Sequence, residues 1–109
     1  MKKPNRAALL ASLVFCCLFA HGSETNYQTE IIVEGLDNPW SVAFVSEREW
    51  LVAERSGSLR LITDGVLNPE PVAGVPEVLF AGQGGLAEVL LHPKFLENKL
   101  IYLSFAGTD

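Results

Sequence analysis

Trp40-Ser41-Val42-Ala43-Phe44-Val45, Trp50-Leu51-Val52-Ala53-Glu54-Arg55 and Leu59-Arg60-Leu61-Ile62-Thr63 are three short apolar runs separated by Glu47-Arg48-Glu49 and by Ser56-Gly57-Ser58. Each run is too short for an ordinary helix and carries the β-branched and aromatic residues that suit a pleated surface. Each is also bounded by turn-forming residues, so each is expected to be a strand. Ser56-Gly57-Ser58 is short enough for a tight hairpin, and Asp64-Gly65 turns the chain again.

Upstream, Thr29-Glu30-Ile31-Ile32-Val33 has the same composition and is expected to be a strand ended by Gly35 and Asp37-Asn38-Pro39. Downstream, Pro69, Pro71 and Gly74 make residues 66–75 a loop or irregular edge, and Pro76-Glu77-Val78-Leu79-Phe80 is expected to close a four-strand unit. Leu86 to Leu91 then reads as a strand buried on most of its surface. Residues 93–98 connect it to a further strand over Lys99 to Phe105.

Trp40–Phe44 followed by Trp50–Ala53 resembles Leu86–Leu91 followed by Ile101–Phe105: an apolar strand, a turn, a second apolar strand. Four short strands recurring at a period of roughly 40–50 residues are the signature of β-propeller blades. The expected fold is therefore all-β, one to one-and-a-half N-terminal blades of a propeller, with the chain forming the front piece of a longer protein. A self-contained β-sandwich is the structural alternative.

Residues 1–22 read as a secretory leader. Lys2, Lys3 and Arg6 form a basic start, Ala7 to Ala20 is a charge-free apolar run, and Ala20-His21-Gly22 offers small residues for cleavage before Ser23. The run is shorter than the roughly 20 residues that cross a bilayer, which argues against a stable membrane anchor. Both cysteines, Cys16 and Cys17, lie within the leader, so residues 23–109 neither use nor need disulfides. Loss of the leader leaves five basic residues against thirteen acidic ones. That balance argues against nucleic acid and anionic membranes as partners, because either would call for a basic patch. The carboxylates are scattered singly, as on a solvated surface.

One polar side chain stands out. In Gly82-Gln83-Gly84-Gly85-Leu86 an amide sits between glycines at the head of an apolar strand, and the glycines accept backbone angles and close approaches that a Cβ forbids. Gln83 is either a turn residue or a functional group at the mouth of a buried strand.

Gly35-Leu36-Asp37-Asn38-Pro39-Trp40, Glu54-Arg55-Ser56-Gly57, Gly74-Val75-Pro76-Glu77-Val78, Gly82 to Leu86, His92-Pro93-Lys94-Phe95 and Ile101-Tyr102-Leu103-Ser104 stand in an order and spacing that resemble the N-terminal part of the soluble PQQ-dependent aldose sugar dehydrogenases, the glucose/sorbosone dehydrogenase family. The resemblance runs from about Ile31 to the end. It implies a six-bladed propeller exported to the periplasm or beyond, with calcium and pyrroloquinoline quinone (PQQ) as cofactors. It also implies oxidation of an aldose at C1, by hydride transfer to the quinone with a histidine general base, and delivery of the electrons to an external acceptor. A neutral imidazole suits that base because the C1 hydroxyl must lose its proton as the hydride leaves.

No catalytic residue is expected within these 109 residues, so the segment alone is expected to be inactive. His92 matches a strand-end His-Pro position and is read as a turn residue, not the base. The resemblance places Gln83 at the substrate mouth, where an amide can both donate to and accept from sugar hydroxyls. Arg55 also matches a family position; arginine at a strand end is usually a surface or inter-strand pairing group, and reach into the cofactor cavity, as a cofactor-binding residue, is the alternative. Trp40 and Trp50 are read as core residues, with sugar stacking as the alternative. No metal-ligand spacing is present.

Two other readings compete. One is a non-enzymatic extracellular propeller that binds a protein or glycan partner, since fold does not choose function. The other is a sugar-lactone hydrolase, which would need a metal-binding Glu and Asn near the axis; Glu54 is the only available candidate, and nothing pairs with it. The leader yields the first test. N-terminal sequencing of the exported protein is expected to begin at Ser23 or within a few residues of it, and an intact Met1 in the membrane fraction would overturn the assignment.

Overall fold

Pro39–Phe44 (β1), Glu49–Glu54 (β2) and Leu59–Thr63 (β3) form an antiparallel meander in the computed structural model, which describes Gly22 and residues 26–108. The described residues fall into two units divided after Glu30, and residues 26–30 of the first carry no regular structure. Apart from Gly22, the leader expected over 1–22 lies outside the described residues. No helix among the described residues is long and apolar enough to cross a membrane.

Local chemistry sets each turn of the meander. Ser46 Oγ accepts the amides of Arg48 and Glu49 between β1 and β2 (3.2 and 3.0 Å). Gly57, at φ +121°, donates its amide to the Glu54 carbonyl between β2 and β3. Asp64 and Gly65 both adopt positive φ, the pairing that a two-residue type I′ hairpin demands, and lead into a two-residue fourth strand, Val66–Leu67 (β4). The sheet order is β1-β2-β3-β4, four strands as in a propeller blade.

Leu86–Leu91 (β5) and Ile101–Phe105 (β6) pair antiparallel as the first two strands of the next blade. A bulge between Leu86 and Val89 takes the Glu88 amide out of the ladder, and Ser104 Oγ accepts it at 3.0 Å. One helical turn, Phe95–Asn98 (α1), bridges the pair and ends at Lys99, whose left-handed conformation (φ +57°) returns its amide to the Phe95 carbonyl.

β5 packs on β1 and β2, and the core lies between the two sheets: Ala43, Leu51, Ala53, Leu59, Leu86 and Val89. Leu59 and Leu86 are fully buried, each worth about 1.5–3 kcal/mol by removal from water. Ser41 Oγ accepts the Val89 amide across the same seam at 2.9 Å.

The structure departs from the sequence expectations in four places. Residues 29–33 form no strand. They run unpaired, and Val33 and Leu36 face Trp50, Val52 and Ile62 across a recess of about 280 Å³. A β-rich composition needs a ladder partner before it becomes a strand, and β4 pairs only with β3. Residues 76–80 do not close the first sheet, since that place is held by β4. Leu79 instead donates its amide to the carbonyl of Ala106, just beyond β6 (2.8 Å). β5 is buried on one face only: Leu86 and Val89 are covered, while Glu88 and Leu90 are exposed. Trp40 is 60% exposed, because the register shift between Pro39 and Ser41 removes it from the ladder.

Gly85 is the tightest point of the seam. It sits at φ +127°, and a Cβ there would overlap the Arg55 carbonyl oxygen. In the full-length protein Gly85→Ala is expected to lower unfolding free energy by roughly 2–4 kcal/mol, since backbone strain and backbone overlap add. Urea melts of the variant beside the parent check this, and equal midpoints would refute it.

Candidate functional site

The start of β1, the end of β2 and the start of β5 lie at one end of the two sheets, because β1 and β2 are antiparallel and β5 packs beside them. Three quoted segments meet there: 35–40, 54–57 and 82–86. Glu54 holds the first. It is 2% exposed, and its Oε1 accepts the Asp37 amide at 2.7 Å and faces Arg60 Nη1 at 3.4 Å. Arg60 Nη2 donates to the Asn68 carbonyl at 2.9 Å, while its buried Nε has no partner. A buried carboxylate engaged in this way is a structural anchor. Asn38, in the left-handed region at φ +49°, accepts the Arg55 amide on its carbonyl at 3.0 Å.

Arg55 holds the other segment. Its carbonyl accepts the Leu86 amide at 3.1 Å, its Nε donates to the Gly84 carbonyl at 3.0 Å, and its Nη2 donates to the Gly82 carbonyl. The guanidinium carbon lies 5.8 Å from the Trp40 ring centre and 5.0 Å from that of Phe80. Among the described residues, Nη1 takes no hydrogen-bond partner.

Gln83 is the exposed tip of this loop. The Gly84 amide closes a turn onto the Ala81 carbonyl at 2.8 Å, with Gly82 at φ +57° in the first central position, the pattern of a type II′ turn. Gly84 is closely packed too: a Cβ there would lie 2.8 Å from the Leu79 carbonyl oxygen and 3.1 Å from that of Ala81. The Gln83 amide forms no hydrogen bond among the described residues. The loop is thus fixed on both sides of a side chain that is free to bind.

The remaining candidates lie elsewhere or are engaged. His92 is at the opposite end of β5, and its Nδ1 accepts the Lys94 amide and faces Asn98 Nδ2, both at 2.9 Å. With Nδ1 accepting, the ring proton of the neutral imidazole is assigned to Nε2, and the ring lies 5.8 Å from Tyr102. Trp50 is half-buried, edge-on to Phe44 at 5.3 Å. Among the described residues no group of three or more His, Cys, Asp or Glu could hold a metal ion. Arg48, held above its ordinary range by the hydrogen bond to the Asp64 carboxylate, is exposed on the hairpins at the far end. The roles of Glu54 and Phe80 were not anticipated from sequence. Burial of a carboxylate and stacking on a distant arginine leave no local signature.

A family model described as glucose/sorbosone dehydrogenase matches residues 36–109. The chain is 42% identical over 87 residues to the uncharacterized protein slr1608 of Synechocystis sp., covering 72% of this chain and 21% of that protein. It is 38% identical over 78 residues to the aldose sugar dehydrogenase YliI of Escherichia coli, covering 71% of this chain and 21% of that protein. It therefore spans about a fifth of the length of the curated relatives it matches. Among solved structures, it aligns with the soluble aldose sugar dehydrogenase of Escherichia coli in its apo form with a TM-score of 0.65 and 40% identity, over 70% of this chain and 22% of that one. A glucose dehydrogenase aligns with a TM-score of 0.64 and 48% identity, over 69% of this chain and 24% of that one. The matched span takes in the loops built around Glu54, Arg55 and Gln83, and the chain belongs to the glucose/sorbosone dehydrogenase family.

Proposed function

We propose that the full-length protein is an exported quinoprotein that oxidises aldoses at C1, with PQQ and calcium as cofactors and an external electron acceptor, and that Gln83 of this chain contacts the sugar. Family membership supports the oxidoreductase class. The observation that carries the substrate role is the Gln83 amide, exposed at the tip of a loop whose flanking carbonyls are both bound, and itself without a partner. An amide donates and accepts at once, as a hydroxyl does, so it can bind adjacent sugar hydroxyls in either sense. The cofactor role expected of Arg55 would fall to Nη1, since Nε and Nη2 are committed to the loop. The described residues form no calcium site of their own, and the calcium assignment rests on the resemblance.

Gln83→Ala in the full-length protein is expected to lower kcat/KM for an aldose by about 5- to 150-fold, the equivalent of losing roughly 1–3 kcal/mol of hydrogen bonding in a site. The thermal midpoint should barely move, because the side chain is exposed. An early melt with unaltered kinetics would make Gln83 a turn residue only. A second measurement addresses the cofactors: dye reduction by the exported protein should require both added quinone and a free divalent cation, and full activity after chelation and quinone removal would refute that assignment.

A further inference from the structure

We propose that Arg55 is the positioning residue for Gln83. The inference rests on the sugar-contacting role given to Gln83 above. One guanidinium binds the carbonyls of Gly82 and Gly84, the residues on either side of Gln83, through Nη2 and Nε. The Arg55 backbone carbonyl binds the Leu86 amide just beyond. A Gly-Gln-Gly-Gly run has more backbone freedom than an ordinary segment, and an amide carried on it would sample many positions unless the backbone were tied. Arg55 ties it at three points, all from one residue at the end of β2. Because β2 is a central strand of the first sheet, the loop inherits the rigidity of that sheet.

The planar fork is what makes this possible. Two carbonyls separated by one residue are met by two N–H groups of fixed spacing, whereas an ammonium is a single point charge on a flexible stem and cannot hold both in one geometry. Trp40 and Phe80 fix the guanidinium from its surroundings, each with its ring within 6 Å of the central carbon. Gly85 completes the arrangement, since only a residue without Cβ lets the chain pass the Arg55 carbonyl. The placement of the sugar-facing amide in the second blade is thereby set by a side chain of the first.

The test uses the full-length protein with four variants: Arg55→Lys, Gln83→Ala, the double variant, and Phe80→Leu, which removes a stacking face at an exposed position and leaves the hydrogen bonds. Three quantities are measured: aldose kcat and KM, quinone affinity, and amide hydrogen exchange of the peptide that contains residues 82–86. Arg55→Lys is expected to lower kcat/KM by a factor similar to Gln83→Ala, and the double variant to fall less than about twofold further, as for residues that act as one unit. Exchange in 82–86 should rise at least about tenfold with Arg55→Lys and less with Phe80→Leu, and the fall in quinone affinity, which reads the cofactor role left to Nη1, should be smaller than the fall in kcat/KM. Unaltered exchange, multiplicative losses in the double variant, or a loss confined to quinone affinity would each overturn the proposal. Kinetics left intact by Gln83→Ala would remove the sugar-contacting role of Gln83, and exchange would still judge the clamp. Should Arg55→Lys fail to fold, Phe80→Leu carries the same comparison.

Discussion

The structure depends on one close approach: the Leu86 amide bound to the Arg55 carbonyl, with Gly85 passing that oxygen in a conformation that only glycine adopts readily. Around this contact the two sheets come close enough for Leu86 and Val89 to reach Ala43, Leu51, Ala53 and Leu59. Burial supplies the driving force along the seam, but it does not choose a register between two apolar faces. The backbone contact, with the Ser41–Val89 hydrogen bond, does so, because each leaves a buried donor unsatisfied if the strands slide.

The quoted segments, scattered along the sequence, are neighbours for this reason. Glu54 takes the Asp37 amide, Arg55 takes the 82–86 loop, and Gly57 lies so near Val78 that a Cβ would come within 2.9 Å of its methyl group. Four segments therefore constrain one another at one end of the molecule, while His92 and α1 organise the other end. A change at any of them is transmitted to the others through these short, close-packed contacts.

What could be read from the sequence was what is local. β1, β2, β3, β5 and β6 are each announced by a short apolar run between turn residues, and the Asp64-Gly65 hairpin is specified by its own φ requirement. Residues 29–33 and 76–80 have the composition of strands without a ladder in the described structure, and composition cannot supply a partner. The same limit applies to the site. Gln83 between glycines is visible as a pattern, and the glycines announce that something approaches closely. That the approaching group is the backbone of Arg55, with its side chain clasping the loop, is a contact across 27 to 29 residues that no local pattern encodes.

The first blade is a meander whose pairings join neighbours in sequence, whereas the Ser41–Val89 bond spans 48 residues. Local pairings close small loops and form early, and distant ones must wait for the intervening chain. A chain that emerges N-terminus first can complete the β1 to β4 ladder before Gly82 follows, so the Arg55 carbonyl and guanidinium stand ready as the glycine loop arrives. Assembly of the second blade is then templated: its first strand docks onto a surface already folded, and the order of the motifs along the chain becomes the order in which their contacts are made.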